Sequence, residues 1–149
     1  MIVYPMQNKV DPKKFSNLPY QKRIEKPWGW EIHWTPSDLP YMGKVLHVNA
    51  NKRLSLQFHD KKQETWYIMS GQAKIVWDNE KGELIETELE YGKGYTCCIG
   101  QRHRLVGITD SDIVEVSTPE IGTTYRLEDD FKRPDETEEL RKNRKVINS

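Results

Sequence analysis

Charge of one sign is missing from this chain of 149 residues: 23 lysines and arginines meet 23 aspartates and glutamates, a formal net charge of zero. A protein that holds nucleic acid by bulk charge needs a basic excess, so no nucleic-acid partner is expected. Cysteine is scarce as well. The two present, Cys97 and Cys98, are sequence neighbours, and bridging neighbours strains disulfide geometry, so free thiols in a reducing cytoplasm are expected. Long apolar runs are absent, since stretches such as Trp66-Tyr67-Ile68-Met69 stop far short of the ~18 residues that span a bilayer. The opening Met-Ile-Val-Tyr-Pro-Met has no basic region and no apolar signal core, which points to a soluble, unexported protein with no membrane partner. Gly92-x-Gly94 is too little for a phosphate-cradling loop. Apolar residues make up 36%, low for a globular domain but enough for one core.

A sustained 3.6-residue periodicity is also lacking ahead of the C-terminal tail. Period-two alternation of aromatic and β-branched residues takes its place. Strands are expected at 30–34, 42–48, 53–59, 64–70, 72–77, 83–88, 95–99, 104–108, 113–117 and 123–127. Ser70-Gly71, Asp78 to Gly82 and Gly92-Lys93-Gly94 supply turns between them. Many short strands at close spacing imply an all-β sandwich, jelly roll or barrel. Residues 1–25, with Pro5, Pro12 and Pro19, read as an extended arm, 26–133 as the domain, and 134–149 as a charged tail. In that tail Asp135 is placed to cap a short helix. The arm and exposed edge strands lead to the expectation of a homodimer.

In the run from Arg53 to His59, Gln57 and His59 stand two apart and share one strand face, with Leu54, Leu56 and Phe58 on the other. After the turn Asp60-Lys61-Lys62-Gln63, Glu64 returns across a hairpin toward His59, and His103 arrives from a later strand. Leu56, Phe58 and Leu105 are expected to face elsewhere. Two imidazoles, one carboxylate and one amide oxygen suit a divalent transition metal with open positions left for water or substrate. A histidine alone is more often a satisfied polar residue, the reading given to His33 and His47.

These residues resemble the cupin superfamily. His59, four residues, Glu64, six residues and Gly71 match its first motif, with Gln57 where the first histidine stands. Gly92, Gly100 and His103 match the second, with Cys98 and Gly107 in place of its proline and asparagine. Gln57-x-His59 followed by Glu64 and a distant His103 is similar to the zinc site of phosphomannose isomerases. Lys26-Pro-Trp-Gly-Trp-Glu31, Glu64-Thr-Trp66, His103-Arg104-Leu105, Glu115-Val116 and Glu128-Asp129-Asp130 resemble the isomerase domain of type II mannose-6-phosphate isomerases. The nucleotidyltransferase phosphate loop of longer members is missing, so the expectation is the cupin half standing alone. The resemblance implies a cupin double-stranded β-helix, a jelly-roll barrel with the arm outside it and a short C-terminal helix or tail. It also implies one divalent metal on Gln57, His59, Glu64 and His103, zinc first, with manganese, nickel or iron as alternatives. The implied substrate is a sugar phosphate, mannose 6-phosphate and fructose 6-phosphate leading, handled in the cytoplasm for sugar-nucleotide or glycan precursor synthesis.

Aldose–ketose isomerisation moves a proton between C1 and C2 and needs an acid/base and a Lewis acid. Glu115, Asp129, Lys61 and His33 are acid/base candidates, of which Glu115 and Lys61 are carried forward. Arg126, Arg133, Arg53, Lys44 and Lys61 are phosphate candidates, and most would otherwise be solvated edge charges. Arg126 and Arg133 come first because they flank Glu128-Asp129-Asp130, as in the relatives. Trp28, Trp30 and Trp66 read as core ahead of a sugar-stacking wall. Two other functions fit the same residues: a non-haem iron dioxygenase using His59, Glu64 and His103, and a non-catalytic sugar-phosphate-binding cupin.

Overall fold

Alternation of buried and accessible side chains along 42–48 and 111–117 builds the floor of the molecule. The computed structural model describes residues 11–144. After a short 3₁₀ turn (Pro12–Lys14) come strands β1 (Lys22–Lys26), β2 (Gly29–His33), β3 (Met42–Val48), β4 (Leu56–His59), β5 (Glu64–Ser70) and β6 (Ala73–Asp78). Then follow β7 (Leu84–Glu88), β8 (Tyr95–Cys97), β9 (His103–Gly107), β10 (Ser111–Ser117), β11 (Thr124–Glu128) and one helix, α1 (Glu138–Lys142). Six strands form one sheet in the order β1-β2-β3-β10-β5-β8, and five form the other, β11-β4-β9-β6-β7. Every pairing is antiparallel. Because β10 lies between β3 and β5, and β9 between β4 and β6, the chain crosses repeatedly from sheet to sheet. This gives the jelly roll expected.

The interior between the sheets changes character along its length. Leu46, Ile113 and Ile68 oppose one another across β3, β10 and β5, all fully buried and joined by Val48, Ile75, Ala73 and Leu105 in one cluster. Burial of each large aliphatic side chain contributes about 1.5–3 kcal/mol. Two residues along the same strands the inward row is Lys44, Glu115 and Trp66, and beyond it lie Ser117 and Glu64. Gly71, the last residue of the first motif, turns β5 into β6 at φ +79°, where a Cβ would lie 2.1 Å from the Asp110 carbonyl oxygen. Only glycine fits there.

Several expectations are corrected. Strand β1 takes in residues 22–25 of the stretch read as an arm. Its sequence Lys-Arg-Ile-Glu-Lys buries only Ile24, which hides it from a search for alternation. Residues 1–10 of that arm and 145–149 of the tail lie outside the described residues. Asp135 does not cap α1. Its carboxylate accepts from the Arg126 amide (2.8 Å), and the Thr137 hydroxyl caps the helix by accepting from Leu140 N (3.3 Å). The strand expected from Arg53 begins at Leu56, because Arg53 bridges Val106 while Gln57 pairs with His103. One strand thus spends an extra residue against its partner, as in a β-bulge, and Leu54 swings to the side of Gln57. Among the described residues no helix is long and apolar enough to cross a membrane.

Candidate metal centre

At the polar end of the barrel β4 and β5 are joined by the turn 60–63, which sets His59 and Glu64 side by side from opposite sheets. Strand β9 brings His103 next to Gln57 on β4. His59, Glu64 and His103 are all buried and offer ligand atoms within 4.8 Å of one another. Each imidazole turns Nε2 toward the same carboxylate oxygen, Glu64 Oε1, at 2.9 Å. The far edges of the rings are held. His59 Nδ1 is 2.9 Å from the Thr124 hydroxyl, and His103 Nδ1 donates to the Gln101 carbonyl (2.9 Å) with Cys97 Sγ 3.1 Å away. Such outer partners fix ring orientation at metal sites.

The residues fit a metal ion on one further observation. His103 Nε2 is buried and, despite its nearness to Glu64, makes no hydrogen bond of acceptable geometry. A convergent carboxylate and two Nε2 atoms, one orphaned, are the donor set of a divalent transition metal. Burial works against the charge on Glu64, but Lys62 and the two imidazoles outweigh it and hold the carboxyl well below its usual range. Burial dominates at His59 and lowers it. At His103 burial pulls the same way, yet Cys97 and Glu64 raise the group to about 10.

Gln57 lines the same cavity, and its Oε1 accepts from Ser55 Oγ (2.6 Å). Leu56 and Phe58 face away, whereas Leu105 and Leu54 line the cavity. Leu105 stands two residues from His103 and shares its face, so the expectation for it is corrected by strand parity, and that for Leu54 by the bulge.

Behind the triad lies a buried ionic network that sequence reading largely missed. Lys62 Nζ reaches Glu64 (2.8 Å), Glu115 (2.9 Å) and Glu120 (3.7 Å). Lys44 Nζ contacts Glu120 closely, with Glu115 at 3.7 Å and Glu31 at 3.8 Å. Glu31 in turn meets His33 (3.2 Å) and Lys26 (3.5 Å). Burial and the charge of Glu64 push Glu115 up to about 7 against the pull of Lys62 and Lys44. Burial would also raise Glu31, but Lys44, Lys26 and His33 bring it well below the ordinary value.

The candidates from sequence separate accordingly. Glu115, Lys44, Arg126 and Arg133 line the cavity. Lys61 does not. It is exposed, and Lys62, two residues before inward-facing Glu64, takes the buried position, a parity signal that was available in the sequence. Arg53 is also outside, exposed and paired with Asp130 through two bonds of 2.8 Å. Lys44 is surrounded by carboxylates and not free for phosphate. Asp129 accepts from Arg133 Nε (2.8 Å) and Nη2 (3.0 Å), which withdraws it from acid/base work. His33 is buried against Glu31, away from the triad's cavity. The aromatic wall divides: Trp28 and Trp66 are buried inside, while Trp30 is stacked on His47 (4.8 Å) beneath Arg23.

The cavity holds about 60 Å³. It shares Lys26, Arg126, Arg133 and Glu136 with an adjoining groove of about 450 Å³, to which Arg144 adds another guanidinium. Arg126 Nη2 pairs with Glu136 (2.9 Å), while its Nε is buried without a partner.

The fold recurs in solved structures. Oxalate decarboxylase from Bacillus subtilis superposes with a TM-score of 0.62 at 20% identity, over 76% of this chain and 33% of that one. The Lactobacillus farciminis oxalate decarboxylase formate complex gives 0.63 at 17%, over 76% and 37%. KdgF from Halomonas sp. gives 0.56 at 13%, over 68% and 89%. At such identities the likeness is one of fold. Among curated proteins, the alginate biosynthesis protein AlgA of Pseudomonas aeruginosa is 30% identical over 114 residues, covering 74% of this chain but 21% of that protein. The family model described as mannose-6-phosphate isomerase C-terminal matches residues 14–136, and the chain therefore belongs to that family of cupin domains.

Proposed function

We propose that the chain is a metal-dependent aldose–ketose isomerase acting on a sugar phosphate, with mannose 6-phosphate and fructose 6-phosphate as the leading pair. The observation that carries this reading is the His59-Glu64-His103 triad in a cavity that Arg126 and Arg133 also line. Gln57 joins the ligand set, since a carbonyl oxygen has a second lone pair beyond the one used by Ser55. Zinc is the first choice of ion. Bound there, a divalent ion supplies a Lewis acid for a sugar oxygen.

The two spaces divide the substrate. A cavity of about 60 Å³ accepts the reacting end, and the groove of about 450 Å³ holds the rest. Arg126, whose Nε has no protein partner, is the donor offered to the phosphoryl group, while Arg133, Lys26 and Arg144, already paired with Asp129, Glu31 and Glu136, add positive charge nearby. Glu115 is the group positioned to move the proton. It takes the proton from C2 of the aldose, the freed electron pair forms the C1=C2 bond, and the C1 oxygen gains a proton to give the enediol. Return of a proton to C1 with loss of the O2 proton yields the ketose. AlgA's name, an alginate biosynthesis protein, supports a place for this activity in glycan precursor synthesis, in the cytoplasm.

Metal analysis of the purified protein, combined with an isomerase assay over hexose and other sugar phosphates, tests the reading. One divalent ion per chain and solvent-hydrogen exchange at C2 are expected, and His103→Ala and chelation should each abolish turnover. Equal activity of wild type and His103→Ala overturns it. Sugar-phosphate binding without turnover would favour a binding module, and oxygen uptake after anaerobic loading with iron would favour a dioxygenase.

A further inference from the structure

Among the described residues four buried side-chain nitrogen or oxygen atoms have no hydrogen-bond partner: Trp66 Nε1, His103 Nε2, Ser117 Oγ and Arg126 Nε. Three of these belong to residues that line the triad's cavity. His103 Nε2 is accounted for by the ion and Arg126 by the phosphoryl group, which leaves the indole of Trp66 without a role. Its ring is 1% exposed. On β5 it points inward between Glu64 and Ile68, tilted against the His103 ring with centroids 5.2 Å apart.

Packing alone does not explain an indole at this position. A buried N–H stripped of water and left without an acceptor costs about 1–3 kcal/mol, and buried tryptophans ordinarily find a partner. No neighbour across the sheet accepts from the indole. Glu115, opposite on β10, accepts from Lys62 (2.9 Å). Tyr95, opposite on β8, accepts through its hydroxyl from Glu90 N (3.0 Å). His103 Nδ1 is taken by Gln101 and Cys97. The deficit is removed when an oxygen of a bound molecule enters the cavity beside the triad.

We infer that the Trp66 indole N–H is a substrate-contacting donor, hydrogen-bonding an oxygen at the reacting end of the sugar phosphate. The inference rests on the isomerase reading of the cavity. It makes Trp66 a specificity-determining residue: a carbonyl or hydroxyl oxygen is accepted at that place, and an analogue with a hydrogen there leaves the donor buried and unpaired, the situation that discriminates most strongly between similar substrates. The same donor gains strength as the substrate oxygen becomes negative on loss of the C2 proton.

The metal-loaded protein, labelled with ¹⁵N in its five tryptophans, is titrated with fructose 6-phosphate while the indole signals are followed by NMR, Trp66 being assigned in the wild type through its own ring protons. The Trp66 N–H proton should move downfield on saturation, and Trp66→Phe should keep the metal while kcat/KM falls about ten- to a hundredfold, the size of one hydrogen bond to a charged oxygen. If the sugar phosphate is turned over and other resonances move while the Trp66 signal stays still, the inference falls and the isomerase reading stands. If no resonance responds to any sugar phosphate, both fall. A Trp66→Phe protein that is less stable but unchanged in kcat/KM also overturns the inference. Should that variant not fold, the wild-type titration decides alone.

Discussion

Two rows of inward side chains, one strand repeat apart, make opposite demands on the same barrel. Leu46, Ile113 and Ile68 bury hydrocarbon, which favours folding without any need for partners. Lys44 and Glu115, in the next row, are buried as deeply, but taking ions from water is so costly that such clusters are weak sources of stability. The same strands with leucine or valine at those positions would hold the fold at least as well. The charged row meets the triad through Lys62, which joins Glu115 to Glu64 and helps keep Glu64 ionised.

Breaking the charged row from one side should have the largest effect. Lys44→Met leaves Glu31, Glu115 and Glu120 short of a cation, and a loss of about 3–5 kcal/mol is expected in urea unfolding. Lys44→Met combined with Glu120→Leu should lose less than Lys44→Met alone, because a pair removed together leaves less charge uncompensated. Ile113→Ala in the apolar row should lose about 2–5 kcal/mol by the same measurement, with metal content unchanged. The smallest effect is on the acid limb. Glu31 has a folded pKa below its unfolded value of 4.5, so its stabilisation is present above that pH and is lost as the pH falls through the folded pKa. Glu31→Gln should therefore narrow the gap in unfolding midpoint between pH 7 and pH 3.

Strands 42–48 and 64–70 were legible to the residue because alternation runs through most of each. His59, Glu64 and His103 were legible because the hairpin fixes the distance from His59 to Glu64, and the second motif supplies His103. Legibility failed in two ways. A single extra residue near Leu54 reversed the facing of part of a strand, and nothing in the local sequence announces a bulge. The network of Glu31, Glu120 and Lys62 was not legible because their partners come from distant parts of the chain, and long-range ion pairs leave no period. Lys61 and Lys62 differ only in parity, which Glu64 could have settled.

The stretch shared with the family ends at Glu136, yet the loop carrying Glu120 is fastened from beyond that point. Arg141, on α1, donates to the carbonyls of Glu120 (3.1 Å) and Gly122 (2.6 Å) and pairs with Glu136 (3.2 Å). Glu138 accepts from the Gly122 amide (2.9 Å). A chain cut after Glu136 would retain all the strands and all the triad residues while unmooring one anion of the cluster that surrounds Lys44 and Lys62. The mechanical unit is thus longer than the homologous one, and five residues of helix serve as a buckle for the interior.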